Sequence, residues 1–211
     1  MRRYIVILIG LIFCVSCEKE EIAIDSGLCN DGNFYYSGGS KIYLKYSVSE
    51  AYIEFEKSDA TEEYAKSILE NYSFINTDLP LSNNYNSVKV RIKNKCDCVD
   101  FKYYLKELNM NDEILSATPV FYTSDNDPDS YWILLSEVLT KNDEAVISES
   151  DFIDYAESNN LKLIELKYST QRFRVKEINT GFEALDIANK IYESGKVQYS
   201  HPNFIAKIVL F

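Results

Sequence analysis

The sequence has one histidine in 211 residues, His201, and it stands directly before Pro202. Acyl transfer by a serine nucleophile needs an imidazole base held by its own partners. A lone histidine in "SHPNF" reads instead as part of a surface turn. No HExxH, P-loop or GxGxxG pattern occurs, which removes the zincin, nucleotide-hydrolase and dinucleotide-binding readings. "SGKV" at Ser194 lacks the upstream glycine that a phosphate loop needs. Gly 7 and Pro 4 are too few for a fibrous or low-complexity chain. Basic residues are also scarce, 22 against 33 acidic, and an acidic surface repels phosphate backbones, which argues against nucleic acid as a partner.

Metal ligands are thin as well. Asp125, Asp127 and Asp129 in "DNDPD" alternate as at the start of a calcium loop. Ser130 and Ser136 stand where the glycine and the closing acid are required, so the segment reads as a solvated linker. Neither a metal nor a cofactor is expected, and the chain is not read as an enzyme.

What the sequence does hold begins at its start. "MRRYIVILIGLIFCVSC" joins Arg2 and Arg3 to an apolar run from Tyr4 to Val15, too short for the roughly 20 residues that span a bilayer. It reads as a secretory leader over residues 1–16. Val15-Ser16-Cys17 resembles a bacterial lipobox, in which Cys17 becomes the lipidated first residue of the mature chain. Several acyl chains on one cysteine anchor a protein without a spanning helix. "CEKEE" then resembles the surface-export signal of Bacteroidetes lipoproteins. The expected location is the outer membrane, lipid-anchored and exposed at the cell surface.

Cys14 leaves with the leader and Cys17 is committed to lipid. Cys29, Cys96 and Cys98 remain, which in an exported protein suggests one disulfide and one spare thiol. Cys29 has two candidate partners, Cys96 and Cys98. Cys96-x-Cys98 is not a CxxC redox motif.

Residues 17–33 read as a tether without periodicity. "NFYYSGGSKIYL" reads as a hairpin turning at Gly38-Gly39. Two blocks of like order follow. In the first, "AYIEFE" is a strand and "DATEEYAKSILENY" a helix capped by Asp59. "YSFINTDL" and "SVKVRIK" are strands, and "CVDFKYYLKELN" is a helix with Phe101, Tyr104, Leu105 and Leu108 inward. "DEILSATPVF" is the last strand. In the second, "YWILLSEV" leads to a helix capped by Ser148 and Asp151, then "LKLIELK" and "QRFRVK". A helix opened by a Thr180–Glu183 capping box follows, with Phe182, Leu185, Ala188, Ile191 and Tyr192 as its stripe, ended by Gly195. "KVQYS" and "NFIAKIVL" close the chain, separated by Pro202. Pro119 and Phe121 match Pro202 and Phe204, and "VKVRIK" matches "QRFRVK". The fold expected is α+β: a hairpin, then two tandem ferredoxin-like β-α-β-β-α-β units, each an antiparallel sheet with helices on one face. The units are assigned to 34–123 and 131–211, divided by the polar "TSDNDPDS".

"GFEALDIANKIYESGKVQYSHPNF" resembles the end of the prodomain region of secreted Bacteroidetes subtilisin-like serine proteases. The hairpin and first block resemble its upstream part, so the likeness covers about residues 35–205. It implies ferredoxin-like units that lie against a protease, assist its folding and pass a C-terminal tail into its cleft. No protease domain follows here, so the chain is expected to be a stand-alone module that binds such a protease. Its tail, with Ile208, Leu210 and Phe211, would contact the enzyme. The alternatives are a non-inhibitory surface module, or the remnant of a protease without its catalytic part.

Overall fold

The computed structural model describes residues 27–77, 82–83, 86–93, 96–122 and 130–206. After Gly27 the chain forms β1 (Leu28–Cys29), then β2 (Phe34–Ser37) and β3 (Ser40–Tyr43), a two-stranded sheet of their own. Its turn needs left-handed backbone at both central positions, and Gly38 and Gly39 supply it at φ 56° and 82° without a Cβ penalty.

The first block is β4 (Lys45–Phe55), α1 (Glu62–Leu69), β5 (Ile75–Asn76), β6 (Ser82–Asn83), β7 (Ser87–Ile92), α2 (Cys98–Asn109) and β8 (Ile114–Tyr122). The second is β9 (Tyr131–Asn142), α3 (Glu149–Glu157), β10 (Leu161–Lys167), β11 (Thr170–Val175), α4 (Glu183–Glu193) and β12 (Val197–Ala206). The architecture is α+β around a mainly antiparallel sheet. Its strand path is β10-β11-β9-β8-β4-β7-β5, with β12 on β9, β1 on β4 and β6 on β7.

Local chemistry sets the helix starts. Ser148 accepts from the Asp151 amide and its hydroxyl donates to the Asp151 carboxylate, the capping arrangement read from sequence. At α1 the cap is Thr61, which accepts from the Tyr64 amide, and not Asp59: the helix starts at Glu62, leaving Asp59 outside its first turn. At α4 the box is one-sided. The Glu183 carboxylate gathers the amides of Asn179, Thr180 and Gly181 and the Thr180 hydroxyl, while Phe182 occupies the cap position with no side-chain bond of its own.

The helices share one core. Ile68 and Leu69 of α1, Phe101, Leu105 and Leu108 of α2, Phe152 and Ala156 of α3, and Leu185, Ala188 and Ile191 of α4 belong to a single buried cluster. A smaller cluster of Tyr52, Val120 and Ile133 contains strand residues only, so the helices lie on one face of the sheet and this cluster on the other.

The two blocks meet along a short seam. β8 pairs with β9 only at Val120↔Ile133, Phe121↔Trp132 and Tyr122↔Tyr131. Further along, β9 takes β11 as its neighbour, at Val138↔Phe173 and the adjoining pairs. The edge of β8 thus freed would leave backbone groups bare, a costly state when buried. Asn109 satisfies it, accepting from the Ala117 amide at 2.7 Å and donating to its carbonyl at 2.9 Å. Gly181 fills the remaining wedge: a Cβ there would come within 2.3 Å of the Ala117 carbonyl oxygen, and its φ is +81°. Next to it, Phe182 of the second block packs edge-on to Tyr46 and Phe121 of the first.

Pro202 does not break the last strand. β12 runs continuously past it, with a register shift between Pro202 and Phe204. A bulge on a strand with one bonded neighbour tolerates a residue that has no N–H to give. His201 therefore sits within β12 rather than in a turn. In "YSFINTDL" only Ile75–Asn76 forms strand, and residues 78–80 lie outside the described part.

Candidate functional site

The sheet face away from the helices is where a partner could meet the chain, and its side chains are set by alternation. In β4, Ala51, Ile53 and Phe55 enter the core, so Glu50, Tyr52 and Glu54 point to the opposite face. Three carboxylates define that face, each at the centre of its own bonded group. Glu50 accepts from Lys89 Nζ at 2.9 Å and from the Tyr122 hydroxyl, and Lys89 lies 4.2 Å above the Tyr131 ring. Burial, then the bond to Glu50, pushes the Tyr122 hydroxyl's pKa well up, so Tyr122 remains a donor at any working pH. Glu54 accepts from Ser116 at 2.8 Å and Ser136 at 3.2 Å, linking β4, β8 and β9 across the seam.

Glu137 is the most enclosed of the three, 4% exposed. Arg172 grips it with two bonds of 2.8 and 2.9 Å, Arg174 adds one at 3.3 Å and Asn203 one at 2.8 Å. Burial by itself would raise its pKa. The bonds from Arg172 and Asn203 outweigh it and hold the carboxyl below its ordinary value. A carboxylate engaged this fully is neither a free base nor an open ligand. Among the described residues no group of His, Cys, Asp and Glu is placed to hold a metal ion.

Two depressions open on the surface. One, of about 360 Å³, is bounded by Leu139, Glu165, Tyr168 and Arg172 at the β10 side of this face. The other, of about 400 Å³, lies at the seam between Glu56, Asp112 and Lys176. Both are open to solvent, unlike the enclosed apolar pockets that bury small ligands; the seam depression is lined mainly by polar surface and the one at β10 mainly by apolar surface.

Cys29 is bonded to Cys98, with Cα atoms 5.8 Å apart. Cys96 is the spare thiol, buried and donating to the Val48 carbonyl at 3.0 Å. Burial raises its pKa, keeping it protonated and poorly nucleophilic. The structure thus resolves a choice that spacing left open: β1 pairing with Ser47 and Tyr46 aligns Cys29 with the first residue of α2. His201 stacks on Tyr199 and meets Tyr35 edge-on, and burial lowers its pKa. Cys17, the tail residues Ile208, Leu210 and Phe211, and Asp125, Asp127 and Asp129 lie outside the described residues.

Sequence reasoning missed Glu137 with its two arginines and Asn203, and also Asp31, which accepts from Tyr46 and pairs with Lys102. Glu137 and Asn203 are separated by 66 positions, and no local pattern announces such a contact. The alternation of "QRFRVK" did place Arg172 and Arg174 on the same side of a strand.

No protein-family model matches the chain, and no curated protein matches it. Among solved structures it is similar to the Sxl-lethal protein in an RNA complex, at 10% identity over 76% of this chain and 99% of that one, with a TM-score of 0.32. It is also similar to the acetolactate synthase small subunit from Thermotoga maritima, at 11% identity over 77% of this chain and 98% of that one, with a TM-score of 0.26. Likeness at that level carries nothing about ligand or activity.

Proposed function

We propose that this chain is an exported, lipid-anchored binding protein built from two ferredoxin-like units, and that its partner is a subtilisin-like protease which it inhibits or helps to fold. The observation that carries the proposal is the strand order. The first block orders its strands β5-β7-β4-β8, and the second orders them β10-β11-β9-β12. Both are second, third, first, fourth, the order a split βαβ unit takes when its last strand returns beside its first. That order supports the prodomain resemblance, as does the mature-chain disulfide, which fits an oxidising compartment outside the cytoplasm. In such a unit the chain leaves the sheet from its final strand. Here the sequence after Ala206 reads "KIVLF", with Ile208 and Phe211 three apart, the spacing the resemblance implies for the two large apolar residues that such a cleft favours when it binds an added strand.

A subtilisin inhibition assay with residues 18–211 tests this reading. Inhibition at micromolar concentration is expected, and deleting Ile208–Phe211 should abolish it while the melting temperature barely moves. A folded protein that inhibits and refolds no such protease overturns the partner. The second reading is a non-inhibitory surface module. The internal satisfaction of Glu50, Glu54 and Glu137 favours it, since a face so fully bonded to itself has few groups left to direct at a partner.

A further inference from the structure

One helix presents apolar residues to solvent in register. On α2, Val99 is 75% exposed and Tyr103 63%, and Met110, which caps the C-terminal end of the helix, is 75% exposed. Their spacing, i, i+4 and i+11, keeps them on one outward side, with Lys106 completing the stripe at i+7. The inward side carries Phe101, Leu105 and Leu108, all fully buried. The helix is therefore apolar on two sides, and the outer one has nothing against it among the described residues.

The chain's own attachment decides what meets this side. The described chain starts at Gly27, and it is clamped to α2 twice within the next few residues. Cys29 is disulfide-bonded to Cys98, the first residue of the helix, and Asp31 pairs with Lys102 one turn on. Gly27 stands ten positions after Cys17, which limits their distance to about 35 Å even at full extension. The chain enters the fold beside α2, so an acyl anchor at Cys17 needs its shortest reach when the α2 side faces the bilayer. A stripe of three residues is too small to bind lipid from solution. Tethering turns that contact into an intramolecular event at high effective concentration, and tyrosine suits the interface because its ring is apolar and its hydroxyl stays wet.

We propose that the outward side of α2, Val99 and Tyr103 with the capping Met110, rests on the bilayer that carries the Cys17 anchor, while the β10–β11 turn, at the far end of the sheet path from the β4 and β8 strands beneath α2, does not. The inference rests on the anchor assigned above. Asp100 and Glu107 balance Lys102 and Lys106 on this helix, so the contact is an apolar one that does not need anionic headgroups.

The test uses the full chain, expressed with its leader and purified from the membrane fraction, with Trp132→Phe removing the native tryptophan. Tyr103→Trp reports on the stripe, and Tyr168→Trp, at a position 90% exposed in the β10–β11 turn, serves as the control. Each protein is reconstituted into phosphatidylcholine vesicles containing brominated phosphatidylcholine. The indole at position 103 should emit further to the blue, and bromolipid should quench it at least threefold more than the indole at position 168. Val99→Ser with Met110→Ser should remove the difference. Intact mass separates the two failures. A chain without acyl groups at Cys17 overturns the anchor and this inference with it. An acylated chain in which the stripe reporter is quenched no more than the control reporter overturns this inference alone.

Discussion

Glu137 is the residue on which the second block's outer face depends. Its carboxylate is ordered by three side chains from two strands, and if it goes Arg174 loses this bond and Arg172 is left with Glu165. Its pKa is lowered by folding, so its stabilising effect is fully present above the unfolded carboxylate range. That effect fades as pH falls from about 4.5 through the lower folded value. Glu137→Gln keeps the shape and removes the charge. It should cost about 2 kcal/mol at pH 7, and it should flatten the acid limb of the stability curve below about pH 4.5. Urea midpoints measured from pH 3 to 7 check both, and a variant whose acid limb matches the wild type would assign that limb to other carboxylates. Tyr46 shows the same economy inside the core: its hydroxyl donates to Asp31 while its ring stacks on Phe101.

At the scale of elements, β10 is the exposed end of the sheet path and must avoid pairing with other chains. Ile164 and Leu166 are 38% and 48% exposed, which by themselves invite edge-to-edge association. Two devices oppose it: Lys162 and Lys167 flank the apolar pair, and the ladder to β11 slips between Leu163 and Glu165. Replacing Lys162 and Lys167 with valine should raise self-association markedly, read as a shift in mass by light scattering at tens of micromolar, with the monomer's melting temperature nearly unchanged. Elements of this kind were largely legible in the sequence, because periodicity is local. The span "CVDFKYYLKELN" is α2 to the residue, and the Gly38-Gly39 hairpin stands as read. What was not legible was non-local. β4 begins six residues earlier than "AYIEFE" because β1 and β8 pair with its early part. Nothing in "SHPNF" tells a reader that Val138 will face Pro202 across a ladder and keep the strand intact. Of the candidate site residues, the sequence singled out Cys29, Cys96 and Cys98 but could not pair them, since the pairing follows from where β1 lies on β4.

Across the whole molecule the seam governs behaviour. Three residue pairs join β8 to β9, a narrow connection for two blocks of this size. The buried cluster nevertheless runs through both, with Phe182 from one against Tyr46 and Phe121 from the other. Cleavage in the polar segment Thr123–Ser130 should therefore leave the halves associated on gel filtration. Phe182→Ala, at about 3–5 kcal/mol for a buried phenylalanine, should let the nicked halves part. Nicked wild-type protein that separates without denaturant would show the units to be independent. The hairpin, although it precedes the first block, rests on the second. Its β2 carbonyl at Phe34 accepts from Asn189 of α4 at 2.7 Å, Tyr36 stacks on Tyr192, and Tyr35 meets Phe204 of β12 at 5.7 Å between ring centres. These partners are the last to be synthesised. A chain that emerges from its N-terminus carries Tyr35 and Tyr36 without these ring partners until α4 and β12 arrive, more than 150 positions later. Such distant closure is slow. A hairpin made early is thus among the last elements to find its place, and the emerging chain must be kept from its neighbours until α4 and β12 are free.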